Sequence, residues 1–313
     1  MTLHVGIAPP PAGFGSADAA RRFLSAAADA GIDHVFVADH VSFRGGRGED
    51  ALIRLATLFG MHPTIHGATG VFLLALRHPS VVARQVATLA ELAPGRLTLG
   101  VGVGGDDRAE MEACGVDPAT RGRRTDEALT VLRALLTGGA VHHQGEFFRL
   151  DGVQIVPAPD PAVPIVVGGR SDAALRRAGR LGDGWLATWC SARRFAEGIE
   201  TVGAVADQAG RQEVAWRHGY QSWFGAAATR EAGVRLVSAA MEAFYAMPFA
   251  PFERYTPAGP PDEVAAHLAP FVRAGATSLN LTPIASDPDE AVAAVGVIKR
   301  LLLPEAVAAG LPR

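Results

Sequence analysis

Short apolar runs rich in β-branched residues alternate with amphipathic stretches along most of the chain. The first four runs begin at residues 3, 34, 65 and 97, so successive starts lie 31, 31 and 32 residues apart. Strand and helix alternating at this interval are typical of βαβ units, which build parallel sheets. The eight predicted strands are Leu3–Ala8, His34–Asp39, Ile65–Leu74, Leu97–Val103, Val163–Gly168, Gly184–Trp189, Val214–Gly225 and Ser278–Ile284.

Eight such units predict an α/β fold, a single (β/α)8 TIM barrel domain that spans residues 1–313. The intervals after the fourth and seventh strands are about twice the others, which indicates insertions at residues 105–120, 138–162 and 226–260. A doubly wound open sheet is the alternative. The barrel is favoured because the pattern shows neither a reversal of strand order nor a polar linker between two cores.

Composition narrows the range of partners. Hydrophobic residues make up 49% of the 313 residues and charged residues 19%, which indicates a large buried core. The net charge of −3 offers no basic excess for a nucleic-acid backbone. The longest apolar run, Val71–Leu76, is too short to span a membrane, and the N-terminus lacks a signal-peptide pattern. Cys114 and Cys190 have neither metal nor redox spacing, so we expect a reduced, cytoplasmic protein.

Several common barrel chemistries lack the residues they need. Lys299 is the single lysine and falls in the last predicted helix, so a Schiff-base lysine at the barrel mouth is excluded. No His-x-His pattern suggests a metal pair, and the adjacent His142 and His143 are interpreted as a solvated loop pair. We therefore expect no metal site.

The ends of the predicted strands carry the candidate chemistry, since the active sites of such barrels lie at the C-terminal ends of the strands. Asp39 and His40 end the second strand. A histidine at this position can act as an acid, a base or a hydrogen-bond donor near neutral pH. The alternative is a structural histidine held by Asp39.

Two glycine-rich strand ends are candidate phosphate sites. Residues 100–105 match G-x-G-x-x-G, but at the fourth strand rather than early in a dinucleotide-binding unit. Gly168, Gly169 and Arg170 end the fifth strand and open a helix, where exposed N–H groups attract anions. Tight turns with a simple helix cap are the alternative interpretation.

These residues together resemble the bacterial luciferase-like monooxygenase superfamily and, within it, the branch that uses the deazaflavin coenzyme F420. The resemblance is carried in order over residues 1 to about 190, and the C-terminal third is compatible with it. The matching segments are Ala38–His40, Thr69–Val71, Arg77–Pro79, Pro94–Arg96, Leu99–Gly104, Arg121–Arg124 with Glu127, Pro164–Gly169, Ala178–Arg180 and Gly182–Trp185.

The resemblance implies a hydride-transferring oxidoreductase with F420 as cofactor, or alternatively an FMN-dependent monooxygenase that uses dioxygen. A non-catalytic flavin- or deazaflavin-binding protein and a cofactor-free sugar-phosphate barrel are more distant alternatives. The family carries a non-proline cis peptide in the third strand, which here would join Gly70 to Val71 and support the flat ring. His40 is the expected catalytic residue. The expected cofactor-binding residues are Asp39, Thr69, Gly70, Val71, Gly104, Gly105, Gly168, Gly169 and Arg170.

Two departures from the family pattern bear on the substrate. Sugar-phosphate dehydrogenases of this family carry a glutamate after the fourth-strand glycines and a tryptophan after the Asp-His pair. Here Asp106 and Phe43 occupy those neighbourhoods, which makes glucose 6-phosphate a doubtful substrate. Aromatic residues suggest a partly apolar pocket instead. We expect a small-molecule substrate and a homodimer, with neither nucleic acid nor membrane as partner. The aromatic candidates are Phe43, Trp189, Tyr220, Trp223 and Tyr255.

Overall fold

Eight parallel strands close into a barrel in the computed structural model, which describes residues 2–11, 13–105 and 107–311. Strands that follow one another around the barrel pair in parallel, and the last returns to the first with Ser278 opposite His4. The predicted TIM barrel is therefore confirmed, and the open sheet was the wrong alternative. The barrel strands are β1 His4–Ile7, β2 His34–Val37, β3 His66–Thr69, β4 Leu97–Gly102, β5 Ile165–Gly168, β6 Gly184–Thr188, β7 Gly219–Ala226 and β8 Ser278–Ile284.

Helices surround the barrel, and polar side chains cap several of their first turns. Ser16 accepts a hydrogen bond from the Ala19 N–H, and Asp50 accepts from the Leu52 N–H. These caps fix where each connection turns back along the barrel. The helices are α1 Ala17–Asp29, α2 Ala51–Met61, α3 Pro79–Leu92, α4 Arg108–Ala113, α5 Arg121–Leu135, α6 Asp172–Leu181, α7 Ala192–Gln208, α8 Arg230–Tyr245, α9 Pro261–Arg273 and α10 Pro288–Ala308.

Additional elements lie in three of the connections. Strands His40–Phe43 and Arg47–Glu49 form an antiparallel hairpin after β2, named the mouth hairpin here. Helices α4 and α5 and a second hairpin of Val141–Gln144 with Arg149–Val153 lie between β4 and β5. Helices α8 and α9 lie between β7 and β8. The two longest connections therefore follow β4 and β7, where the spacing between predicted strands is widest.

The third strand differs from its predicted form. Instead of one strand over Ile65–Leu74, β3 ends at Thr69 and a two-residue strand follows at Phe72–Leu73. The peptide bond between Gly70 and Val71 is cis, as expected from the family resemblance. The chain changes direction at this break, which lies at the mouth of the barrel beside the other strand ends.

Two other predicted boundaries shift for local reasons. The amphipathic stretch Glu49–Phe59 predicts a helix after the second strand. The observed helix begins at Ala51, because Glu49 pairs in the mouth hairpin and Asp50 caps the helix. The strand predicted from Val214 begins at Gly219. The apolar residues between Val214 and Gly219 lie in the connection that precedes the strand.

The main core lies between the barrel strands and the surrounding helices. All four residues of β2 and of β5 are buried, as expected for strands covered on both faces. Lys299, in α10, donates to the Gly31 carbonyl and to Asp33 beside the start of β2, far from the mouth in the strand direction. Within the described ranges, no helix has the length and apolar character needed to cross a bilayer.

Candidate active site

A cavity of about 920 Å³ opens at the C-terminal ends of the barrel strands. This is the end at which TIM barrels place their active sites. Every barrel strand contributes lining residues, from within the strand for β7 and β8 and at or just beyond the end for the others, so the cavity lies on the barrel axis rather than in one loop. Representative contributors, in strand order, are Ala8, His40, Gly70, Gly104, Gly169, Trp189, Gln221 and Thr282.

His40 lies in the wall of this cavity and is held by a buried glutamate. Its Nδ1 lies 3.0 Å from Oε2 and 3.2 Å from Oε1 of Glu110, whose side chain is only 2% exposed. Glu110 also accepts hydrogen bonds from the backbone N–H groups of Val41 and Ser42. Because a carboxylate only accepts, Nδ1 carries the proton in this pair, and Nε2 of the neutral ring can accept one.

The imidazole of His40 is also fixed by stacking. Phe43 stacks against it, with ring centroids 4.2 Å apart and 26° between the ring planes, and is itself 1% exposed. A ring held on one edge by a carboxylate and on one face by an aromatic side chain has little rotational freedom. His40 therefore presents its remaining nitrogen in a defined direction, the arrangement that a general acid or base requires.

Sequence reasoning did not identify Glu110. It lies in α4, three residues after the cap residue Asp107, so a D-x-x-E pattern gives it the appearance of an ordinary helix-start residue. The contact that matters joins positions 70 residues apart in the chain. Asp106, the residue on which the departure from the sugar-phosphate pattern was argued, lies outside the described residues.

Asp39, an expected cofactor-binding residue, lines the cavity, and its carboxylate is bound by other parts of the chain. Arg77 donates to both carboxylate oxygens, at 2.6 and 2.9 Å, and the N–H groups of Ala51 and Leu73 donate to the same carboxylate. Burial raises the pKa of Asp39, and the Arg77 guanidinium opposes that rise. The Asp39 carboxylate thus ties β2, α2 and the segment after β3 together beneath the mouth.

Thr69 and Gly70 are placed differently from each other. The Thr69 hydroxyl is buried and donates to the Gly100 carbonyl at 2.7 Å, which joins β3 to β4. Gly70 and Val71 both line the cavity. A Cβ on Gly70 would lie 2.7 Å from Oε1 of Gln221 and 2.8 Å from Phe36, so only glycine fits there without displacement.

A chain of polar side chains crosses the barrel interior to reach Gly70. Nε2 of His34 lies 2.8 Å from Oδ1 of Asn280, and Nδ2 of Asn280 donates to Oε1 of Gln221 at 3.4 Å. Gln221 in turn donates to the Gly70 carbonyl at 3.3 Å. Burial lowers the pKa of His34 to about 4, so its ring is neutral at pH 7. The chain fixes the Gln221 amide at the floor of the cavity, and the sequence pattern gave no sign of it.

The glycine-rich ends of β4 and β5, which pair as neighbouring strands, lie side by side at the cavity. Gly104, Gly105, Gly168, Gly169 and Arg170 all line it. The backbone at Gly105 has φ +107°, and a Cβ there would lie 2.6 Å from Nε of an arginine, Arg121, in α5. That nitrogen is buried without a hydrogen-bond partner among the described residues. A backbone that accommodates only glycine beside an unpartnered guanidinium nitrogen is suited to an anion.

Fewer backbone N–H groups are available to bind an anion at the end of β5 than the sequence suggested. The Gly169 N–H donates to the Leu186 carbonyl, although at a long 3.3 Å, and the Gly169 carbonyl accepts from Nε1 of Trp185. Arg170 is exposed and its guanidinium lies 5.4 Å from the ring centre of Trp189, so it remains available to a ligand at the mouth.

Aromatic side chains form another part of the cavity wall. Phe43, Trp189 and Trp223 line it as the sequence suggested, and Phe244 and Tyr245 from the end of α8 join them. The other two aromatic candidates lie elsewhere. Tyr220 is fully buried in the core and stacks on Phe271 at 3.8 Å, and Tyr255 lies at a neighbouring surface pocket.

Comparison with known proteins gives the family and the fold. A family model described as luciferase-like monooxygenase matches residues 2–256. An F420-dependent glucose-6-phosphate dehydrogenase of Nakamurella multipartita is 33% identical over 193 residues, which are 58% of this chain and 57% of the relative. In a set of eight curated relatives, the aligned part covers 40% to 57% of their length, so the chain spans about half of each.

Solved structures share the architecture at low sequence identity. An F420-dependent secondary alcohol dehydrogenase in complex with an F420-acetone adduct superimposes with a TM-score of 0.83 at 19% identity, covering 96% of this chain and 99% of the other. A type II Baeyer-Villiger monooxygenase constituent from Pseudomonas putida, in complex with FMN, gives a TM-score of 0.77 at 18% identity with full coverage of both chains. Likeness at this identity establishes the fold.

Proposed function

This chain belongs to the luciferase-like monooxygenase family, and from that premise we propose that it is an F420-dependent oxidoreductase acting on a small organic substrate. The observation that carries the proposal is the site itself. An imidazole held by a buried carboxylate lies in the same cavity as two glycine-rich strand ends, and a buried, unpartnered arginine nitrogen lies beside one of them, at Gly105. The F420-dependent relatives among the matched proteins favour the deazaflavin over FMN.

The residues of the cavity fit a flat cofactor that carries a phosphate. Gly70 leaves room for a ring at the cavity floor, with Val71 beside it. Gly104 and Gly105 with Arg121 would hold the phosphate from β4, and Gly168, Gly169 and Arg170 would close the site from β5. Asp39 and Thr69 would act indirectly, since their side chains join strands beneath the mouth.

His40 would handle the substrate proton. A bound deazaflavin supplies the hydride acceptor or donor, and the protein orients both reactants and excludes water. Glu110 holds the proton on Nδ1 of His40, so Nε2 can take the proton from a substrate hydroxyl or return it to a carbonyl oxygen. Phe43 keeps the ring from turning away during this exchange.

Anaerobic turnover is the experiment that tests the reaction class. The purified protein should oxidise reduced F420 in the absence of dioxygen when a carbonyl substrate is supplied. An FMN-dependent monooxygenase would instead consume dioxygen with reduced FMN and show no F420 turnover. Oxygen-dependent product formation with reduced FMN alone would overturn the proposal in favour of that alternative.

The acidic polyglutamate tail of F420 gives a second test, because FMN and the tail-less precursor lack it. Among the arginines near the two glycine-rich ends, Arg123 pairs with Glu146, and Arg177 pairs with Asp126. Arg124 lies over Phe148 and donates to the Ala75 carbonyl. Arg108 lies 3.9 Å from Glu112, a weak exposed contact. Arg121 donates to the Pro118 carbonyl and is assigned to the phosphate, so the arginines that remain for a tail are the exposed Arg170 and Arg176.

We expect F420 to bind more tightly than its tail-less precursor at low ionic strength. Substituting Arg170→Gln should reduce that preference by about two- to fivefold, the size of exposed ion pairs. The matched control Arg123→Gln, whose guanidinium is engaged by Glu146, should leave it unchanged. Titrations followed by cofactor fluorescence measure both affinities, and the preference should shrink as salt rises. Equal affinities for the two forms at low salt would contradict a tail-binding role.

The remaining expectations about assembly stay predictions. A homodimer is proposed on the family resemblance, and light scattering of the purified protein measures it directly. The cytoplasmic location is likewise proposed from the sequence.

A further inference from the structure

Polar residues form one layer across the barrel interior at the floor of the cavity. In the strand register, Gln221 of β7 lies opposite Asn280 of β8. Asn280 lies opposite Gly6 of β1, which in turn lies opposite His34 of β2. Bulky branched apolar side chains usually fill such a layer of a TIM barrel. Polar groups are costly to bury unless each is hydrogen-bonded, so a polar layer in this place indicates a function.

The glycine in β1 gives the layer its space. A Cβ at Gly6 would lie 2.1 Å from Nε2 of His34, so the imidazole occupies the volume that any other residue would fill. His34 thereby reaches across β1, and its Nε2 lies 2.8 Å from Oδ1 of Asn280. His34 and Asn280 are 8% and 4% exposed, and neither is among the described residues that line the cavity. They can therefore act on a ligand only through Gln221.

The hydrogen bonds of the layer run in one direction. The Gly70 carbonyl can only accept, so it fixes the Gln221 amide with Nε2 as the donor and Oε1 as the acceptor. Oε1 then accepts from Nδ2 of Asn280, which leaves Oδ1 of Asn280 to accept from Nε2 of His34. A flipped Gln221 amide would set oxygen against oxygen at Gly70 and nitrogen against nitrogen at Asn280. The layer therefore holds the amide in one orientation.

Gln221 is the member of the layer that reaches the cavity. It is half-buried and lines the cavity together with Gly70, and a Cβ on Gly70 would lie 2.7 Å from its Oε1. A glutamine amide has two N–H donors, and the hydrogen bonds among the described residues use one of them, to the Gly70 carbonyl. A second donor of fixed orientation at the floor is suited to an acceptor atom of a bound ligand.

We infer that Gln221 binds the cofactor ring at the floor of the cavity by donating its second Nε2 hydrogen to an acceptor atom of the ring, and that Asn280 and His34 are positioning residues that act through it. This inference rests on the proposed function, since the ring is that of the deazaflavin. The layer holds the donor in place before the ring binds, so little side-chain freedom is lost on binding.

Gln221→Leu tests the contact with the ring, because it removes the donor and keeps a side chain of similar size. We expect it to weaken F420 binding by roughly three- to tenfold, the scale of one hydrogen bond. The change in the absorption spectrum of F420 on binding should also be smaller. Absorption titrations of the purified proteins measure both quantities.

Ser222→Ala is the matched control. Ser222 is the next residue of the same strand and is 1% exposed, its hydroxyl donates to the Trp223 carbonyl, and it is not among the described residues that line the cavity. This variant also loses a buried hydrogen bond, but it should retain the Kd and the spectrum of the unmodified protein.

A rescue pair tests the positioning role of His34. His34→Leu cannot donate to Asn280, so the Gln221 amide is held less firmly, and F420 binding should weaken by about two- to threefold with a smaller spectral change. His34→Gln carries an amide that can donate to Oδ1 of Asn280 and should restore both. A merely structural role would lower thermal stability without changing the spectrum of the bound cofactor. Asn280→Leu, which breaks the same chain, replaces His34→Leu if circular dichroism shows that protein to be unfolded.

Titrations of the same proteins with FMN separate this inference from the proposed function. Binding of FMN instead of F420, weakened by Gln221→Leu, would support the role of Gln221 and count against the proposed function. Tight F420 binding with an unchanged Kd and spectrum in Gln221→Leu would overturn the role of Gln221 and leave the proposed function supported. Weaker binding by Gln221→Leu but not by His34→Leu would overturn the positioning role alone. Binding of neither cofactor would overturn both proposals.

Discussion

Replacing His40 with alanine should lower kcat by about 10²–10⁴-fold, the usual contribution of a positioned general acid or base. The reason is the arrangement around the ring. Glu110 occupies Nδ1 and Phe43 stacks on one face, which leaves Nε2 as the nitrogen that can exchange a proton with substrate. The measurement is steady-state turnover of F420 with a true substrate, together with thermal unfolding of both proteins.

The stability of the His40→Ala protein should change little, because the His40 side chain is 24% exposed and the buried carboxylate keeps its two backbone donors, Val41 and Ser42. Glu110→Gln is the companion variant. Its amide oxygen can still accept from those donors, but the ring loses its carboxylate partner, so kcat should fall less than in His40→Ala. Unchanged kinetics in His40→Ala would assign the histidine to structure.

Replacing Arg77 with methionine should destabilise the protein by about 3–5 kcal/mol, the range for removing one partner of a buried ion pair. The Asp39 side chain is fully buried and Arg77 is 17% exposed, so water replaces little of the lost interaction. Burial already raises the pKa of Asp39, and in the variant only backbone donors oppose it. Urea unfolding of the cofactor-free protein measures the change.

The pH dependence of this loss follows from linkage. Without Arg77, the folded protein holds a proton on Asp39 more tightly than the unfolded chain does, so its stability falls as pH rises above the ordinary carboxyl range. The loss relative to the unmodified protein should therefore be smaller at pH 5 than at pH 8. The double variant Asp39→Asn with Arg77→Met should recover part of the stability. A loss of stability below about 1 kcal/mol in Arg77→Met would show that the ion pair of Asp39 with Arg77 does not hold these segments together.

The barrel was predictable because its repeat is local. Each βαβ unit is a run of consecutive residues that forms one apolar strand and one amphipathic helix. The regular interval between strand starts is therefore visible in the sequence. The position of the active site then follows from the fold, since strand ends meet at one mouth. The cis bond at Gly70 was expected through the family resemblance, and Gly70 sits where a Cβ would meet Gln221 and Phe36.

The contacts that define the site were less predictable, because they join distant positions. Glu110 reaches His40 across 70 residues, and Gln221 reaches Gly70 across 151. Neither spacing leaves a periodic signal. Asp39 provides another such contact: the family resemblance indicated it as a cofactor-binding residue, but the sequence did not indicate that its carboxylate is bound by Arg77, 38 residues away.

The central claim is that the cofactor is F420. Parallel equilibrium titrations of the purified protein with F420 and with FMN test this claim most directly. Both cofactors have a flat ring and a phosphate, so the comparison isolates the deazaflavin ring and the acidic tail. We expect a lower Kd for F420 than for FMN, with the difference narrowing as salt rises. Tight FMN binding with weak or absent F420 binding would contradict it.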